Sequence, residues 1–125
     1  MAKAKRPTTQ LRELLAAPGV VIAPGVADAL NARLVAAEGF KALYMTGGGT
    51  SAVRLGMPDV GLLSLPEMAD NAGRIADASG LPVVADADTG YGNALNVRRT
   101  VSAYEKAGVA GLHLEDQELP KRCGH

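Results

Sequence analysis

The hydrophobic pattern of the chain is rhythmic. Short apolar runs alternate with stretches in which apolar residues recur at helical spacing, and glycine, proline or a capping residue stands between them. Residues 1–7 look like a flexible, solvated tail. A first helix is expected to open at Thr8 or Thr9 and to turn Leu11, Leu14 and Leu15 inward before Pro18-Gly19 stops it. Val20 to Pro24 is a continuous apolar run, as expected of a strand buried on both faces, and Ala27 to Glu38 follows as a helix with Leu30 and Leu34 in step, ended by Gly39. A second strand over Ala42 to Met45 runs into Thr46-Gly47-Gly48-Gly49, from which a long loop reaches Leu63. Ser64 and Glu67 have the spacing of a capping box. They predict a helix carrying Met68, Ala72, Ile75 and Ala76 on one face and ending at Gly80. Pro82 to Ala87 is the third strand. Asn93 caps a helix with Ala94, Val97, Val101 and Tyr104 on one side, Gly108 closes it, and Ala110 to Glu115 is the fourth strand.

Strand and helix alternating four times, without a hairpin signal, imply an α/β fold with a parallel sheet and right-handed crossovers. Either a doubly wound open sheet or part of a parallel (β/α)₈ barrel meets that pattern, and a whole barrel takes about 250 residues. The first strand is followed by Pro24-Gly25-Val26-Ala27 in place of a glycine-rich dinucleotide fingerprint, which weakens the open-sheet reading.

Composition narrows the partners. Lys+Arg and Asp+Glu balance at 13 each and Trp is absent, so the chain offers neither a basic face nor stacking platforms for nucleic acid. No apolar run approaches bilayer length and no secretory leader is visible, and the lone Cys123 excludes an internal disulfide; these features lead to an expectation of a soluble, cytoplasmic protein. The expected partner is a small carboxylic acid.

In a parallel sheet the C-terminal strand ends share one face, and here those ends are acidic. Asp86 and Asp88 close strand three, Glu115 and Asp116 close strand four, and Asp59 lies in the loop after strand two. Carboxylates gathered on one face repel one another unless a cation joins them, and an all-oxygen set favours Mg²⁺ or Mn²⁺ over Zn²⁺. The alternative is that each acid caps a helix or pairs with Arg54, Arg98 or Arg99. The glycines after strand two could bring backbone N–H groups close to a ligand carboxylate, or simply make a tight loop. At the chain's end Lys121, Arg122 and His125 flank Cys123, surroundings that favour a thiolate and hence a proton carrier or nucleophile. His113 is expected to be a strand residue pointing inward.

The segments YMTGGG (44–49), GMPDVGLLS (56–64), PVVADADTGYGN (82–93), GLHLEDQ (111–117) and PKRCGH (120–125) together resemble the isocitrate lyase and phosphoenolpyruvate mutase superfamily. KRCGH resembles the signature of its carbon–carbon lyase branch, which includes methylisocitrate lyases. The resemblance implies the first four units of a TIM-type barrel, with 1–125 as the N-terminal half of a (β/α)₈ domain. It further implies a homotetramer, Mg²⁺ (or Mn²⁺), and cleavage of a 2-hydroxy di- or tricarboxylate to a 2-oxo acid (pyruvate or glyoxylate) and a dicarboxylate such as succinate. By the same resemblance Asp86 meets the metal directly, with Asp59, Asp88 and Glu115 acting through water. Tyr44, Thr46, Gly47 and Gly48 then bind the 2-oxo acid, Cys123 protonates the leaving carbanion, and Lys121, Gly124 and His125 shape its loop. Because the sequence stops inside that motif, the chain is expected to be truncated. Two alternatives accompany this reading: a mutase, phosphonopyruvate hydrolase or oxaloacetate decarboxylase reaction on the same scaffold, or a non-catalytic fragment keeping a metal and anion cradle.

Overall fold

The computed structural model describes residues 5–124. Among these residues nine elements follow one another: α1 (Pro7–Ala16), β1 (Gly25–Val26), α2 (Ala29–Ala37), β2 (Leu43–Met45), α3 (Gly47–Leu55), α4 (Leu65–Ser79), β3 (Val83–Asp86), α5 (Ala94–Lys106) and β4 (Gly111–His113). The strands form one sheet in the order β1-β2-β3-β4, every pair parallel. These are the first four units of a parallel β/α barrel, each strand pairing with the next in sequence.

Strand alternation separates two faces. Leu43, Met45, Val83 and Ala85 turn to the helices and are fully buried there against Met68, Ala72 and Ile75 of α4 and Tyr104 of α5. Tyr44, Val84 and Gly111 occupy one register row on the opposite, concave face, with Asp86 and His113 in the row toward the C-terminal ends. The site is therefore built where the last concave-facing positions of adjacent strands meet the loops.

Sequence and structure agree closely for α4. The Ser64 amide and hydroxyl both donate to the Glu67 carboxylate, at 2.8 and 2.6 Å, and Gly80 ends the helix in the left-handed conformation at φ 65°. Asn93 accepts from the amides of Leu95 and Asn96, so α5 starts where expected. Other expectations are corrected. The helix after the tail opens at Pro7, since proline suits the first helical position, and Lys5 of the tail pairs with Glu13 at 2.8 Å; residues 1–4 lie outside the described residues. Val20 to Pro24 is not a strand: Val20 is 91% exposed, and pairing begins only at the Pro24 carbonyl, which accepts from Tyr44 N at 3.0 Å. Leu15, Leu30, Leu34 and Val101 are exposed, the buried positions of α2 and α5 being Ala32, Thr100 and Tyr104. The triple glycine is not a loop but the first turn of α3, with Thr46 as its cap.

Candidate active site

Thr46 follows β2 and accepts the Gly49 amide on Oγ1 at 3.2 Å, which lets the chain enter α3 directly from the strand. The Gly47 amide then points at the end of β3 and donates to Asp86 Oδ2 at 3.2 Å. A Cβ on Gly47 would stand 2.5 Å from that oxygen and 3.1 Å from Asp59 Oδ2, so glycine is what lets two carboxylates close on the helix start. Asp86 Oδ1 accepts the Asp88 amide at 2.9 Å. Asp88 itself is left-handed at φ 48° and turns its carboxylate to Lys121.

Lys121 is the centre of this cluster. Its ammonium lies 2.9 Å from Asp59 Oδ2 and also bonds Asp88 Oδ1, with all three side chains buried. Burial alone would make the ammonium easier to deprotonate, but the hydrogen bonds and charges of Asp88 and Asp59 win and hold its pKa well above the ordinary lysine value. Burial pushes the Asp88 carboxyl up against the opposing pull of Lys121. Asp59, Asp86 and Asp88 thus lie together, and the charge joining Asp59 and Asp88 is the Lys121 ammonium in place of the expected dication. Arg54 pairs with Asp70 instead.

Tyr44 flanks the cluster. Its hydroxyl lies 2.8 Å from His113 Nδ1. Burial, then the negative charges of Asp86 and Glu115, push its pKa up to about 12, so at neutral pH it is a phenol able to donate one proton. His113 Nε2 faces Glu115 Oε1 at 3.6 Å, and Gln117 donates to Glu115 Oε2. His113 is partly exposed on the concave face and belongs to the site, a role the sequence reading missed. The signal was its two-residue spacing from Glu115, which places both on one face of β4 and its extension.

Cys123 lines a cavity of about 280 Å³ with Thr46, Gly48, Met57 and Asp59. Gly124 is exposed with open space around it, and His125 lies outside the described residues. Tyr44, Thr46, Gly47, Gly48, Asp59, Asp86, Asp88, Lys121 and Cys123 are therefore brought to one strand-end edge, with Glu115 reached through Tyr44 and His113. Among the described residues, no three of His, Cys, Asp and Glu stand so that they could hold a metal ion. In donor chemistry the buried carboxylates do fit a hard cation: they are oxygen donors, and His113 makes its contacts with Tyr44 and Glu115.

The acid cluster stands at the C-terminal strand ends of a parallel β/α barrel, the face on which enzymes of this architecture carry their active sites. The family model for phosphoenolpyruvate phosphomutase matches residues 11–124, and the chain belongs to that family, within the phosphoenolpyruvate mutase and isocitrate lyase superfamily. It is 58% identical over 116 residues to 2,3-dimethylmalate lyase of Eubacterium barkeri, covering 93% of this chain and 40% of that protein. Among solved structures, oxaloacetate acetylhydrolase in complex with the inhibitor 3,3-difluorooxalacetate superposes with a TM-score of 0.90 at 52% identity, over 94% of this chain and 41% of that one. Phosphonopyruvate hydrolase in complex with oxalate and Mg²⁺ does so at 0.88 and 32% identity, over 94% and 41%. The chain thus spans about two fifths of the length of the proteins it matches. No helix among the described residues is long and apolar enough to cross a membrane.

Proposed function

We propose that residues 1–125 form the N-terminal half of a (β/α)₈ carbon–carbon lyase domain that cleaves a 2-hydroxy di- or tricarboxylate into a 2-oxo acid and a dicarboxylate such as succinate. The observation that carries this reading is the meeting of Asp59, Asp86 and Asp88 with Lys121, Tyr44 and the amide-lined start of α3 at one edge, beside Cys123. Asp86, with Asp59, Asp88 and Glu115, would hold Mg²⁺ or Mn²⁺. When bound, the ion supplies charge that orients and polarises the 2-oxygen of the substrate.

The chain's own groups account for the remaining demands of the reaction. Cleavage passes the proton of the 2-hydroxyl to a carboxylate of the strand-end cluster as that oxygen becomes the carbonyl, and sends the electron pair of the broken carbon–carbon bond to the carbon next to a carboxylate, which must then receive a proton. Cys123 is the donor, on a loop whose Lys121 is anchored to Asp59 and Asp88. Tyr44, a phenol at neutral pH, donates to the oxygen of the 2-oxo fragment, and Thr46, Gly47 and Gly48 receive its carboxylate. Lys121, Gly124 and His125 shape the loop that excludes water from the carbanion. The likeness to phosphonopyruvate hydrolase supports a second reading, phosphorus–carbon chemistry or decarboxylation on the same scaffold. That the chain spans two fifths of its relatives supports a third, a fragment that binds without turnover.

Calorimetric titration of the chain with Mg²⁺ and oxalate tests the cradle: one-to-one binding that Asp86→Asn abolishes is expected, and no binding in the unsubstituted chain overturns the proposal. Cys123→Ser separates the chemistries. In an active chain it lowers lyase turnover by orders of magnitude and leaves Mg²⁺ affinity unchanged, whereas turnover that survives the change assigns the reaction to the second reading. Binding by a chain without turnover identifies the third.

A further inference from the structure

The turn that presents Asp88 is held in a conformation that L-residues avoid. Asp88 and Tyr91 have φ of 48° and 60°, and Gly90 and Gly92 are left-handed as well, at 91° and 140°. Two such non-glycine residues within four positions persist only where their surroundings over-determine them. Several anchors do this. Gly90 N donates to the Ala87 carbonyl at 2.9 Å, Glu115 N donates to the Asp88 carbonyl at 2.8 Å, and Thr100 Oγ1 donates to the Gly90 carbonyl at 2.8 Å.

A further anchor links the turn to Asp86. Tyr104, fully buried on α5, donates its hydroxyl to the Asp86 carbonyl at 2.9 Å, and the Tyr91 hydroxyl lies 3.1 Å from that of Tyr104. A phenol carries one proton. That of Tyr104 is committed to the carbonyl, so Tyr91 donates to the Tyr104 oxygen, and the links run from Tyr91 through Tyr104 to Asp86, each polarising the next. The other end of the same peptide unit is fixed too, because Ala87 N donates to the His113 carbonyl at 3.0 Å. The Asp86–Ala87 peptide is therefore clamped between α5 and β4. Tilting it would move the Asp86 carboxylate together with the Asp88 amide bonded to it.

We propose that Tyr104 and Tyr91 are positioning residues of the acidic site: their paired hydroxyls fix the Asp86–Ala87 peptide and the left-handed turn in one arrangement, so that Asp86 and Asp88 are presented as a unit. The inference deepens the proposed function, and its cation readout rests on that reading. Any donor would satisfy a buried carbonyl. Only a chain of hydroxyls running back to the turn couples the carbonyl to the placement of Asp88.

Tyr104→Phe and Tyr91→Phe each remove one hydroxyl and keep the ring. In the ¹⁵N-labelled 125-residue chain without divalent cation, Tyr104→Phe is expected to accelerate amide exchange at Asp88 about tenfold or more, leaving Ile75 and Val84 at unsubstituted rates. The dissociation constant for Mg²⁺ in the presence of oxalate should rise about tenfold, as for other residues that orient metal ligands. Ile75→Val, which removes a core methylene and keeps both tyrosine hydroxyls, should leave the Mg²⁺ constant unchanged. Exchange at Asp88 unchanged in both tyrosine variants, or accelerated only in parallel with Ile75, overturns the proposal. Failure of the unsubstituted chain to bind Mg²⁺ refutes the proposed function, while the exchange rates still decide the positioning role. If Tyr104→Phe does not fold, Tyr91→Phe decides the inference by the same two measurements.

Discussion

Two neighbouring glycines at the start of α3 have opposite tolerances. A Cβ on Gly47 would meet Asp86 Oδ2 at 2.5 Å, whereas one on Gly48 would find nothing nearer than Asp59 Cβ at 3.9 Å. Gly47→Ala must push the Asp86 carboxylate away from the helix start, and displacing this proposed metal ligand should weaken binding by about 10–100-fold. Titration with Mg²⁺ and oxalate should show that loss for Gly47→Ala and near-normal affinity for Gly48→Ala; equal affinities would contradict the packing described at Gly47. Lys121 gives a second contrast. Its removal as Lys121→Met leaves Asp59 and Asp88 buried without their shared cation, a change that costs about 3–5 kcal/mol. Urea unfolding in chelator should report that loss. The acid cluster was legible in the sequence because strand alternation and strand ends are readable. That a lysine joins it was not, since Lys121 and Asp59 are 62 positions apart and only the folded barrel brings them together.

At the scale of elements, local chemistry decides which ones the sequence reveals. The helices α4 and α5 carry their own start signals, Ser64 with Glu67 and Asn93 with Asn96, and these hold in the fold. The helix α3 hides because three consecutive glycines have poor helix propensity. What overrides that propensity is tertiary: Gly47 is needed beside Asp86, and a Cβ on Gly49 would stand 2.8 Å from Thr46 Cγ2. The strand expected at Val20 fails for a related reason, because an apolar run becomes a strand only where a neighbour pairs with it, and β2 first meets the chain at Pro24. The α4 start also makes a pH prediction. Hydrogen bonds from the Ser64 hydroxyl and amide hold the Glu67 carboxyl below its ordinary value of 4.5. A lowered folded pKa contributes stability above the unfolded value, and that contribution is lost as pH falls through the folded value. Below about pH 4.5 the Tm of the unsubstituted chain should therefore fall toward that of Glu67→Gln. Parallel curves for the two chains would show that the carboxylate contributes nothing there.

At the scale of the whole molecule, burial is one-sided. The helix-facing layer of the sheet is closed, with Leu43, Met45, Val83 and Ala85 at zero exposure, while Val20, Ile22, Leu30, Leu34 and Leu95 remain largely exposed. Among the described residues, β1 and β4 of the four-stranded sheet each pair on one side only, so two strand edges present unpaired backbone groups. Exposed apolar side chains and open strand edges are both surfaces for association. The 125-residue chain is accordingly expected to self-associate, and a protein whose folded form is stabilised by its own association unfolds at a temperature that rises with concentration. Light scattering over a dilution series, paired with thermal unfolding at each concentration, measures both effects together. A monomer at every concentration, unfolding cooperatively at one fixed Tm, would mean that the exposed leucines and open edges cost the isolated chain nothing.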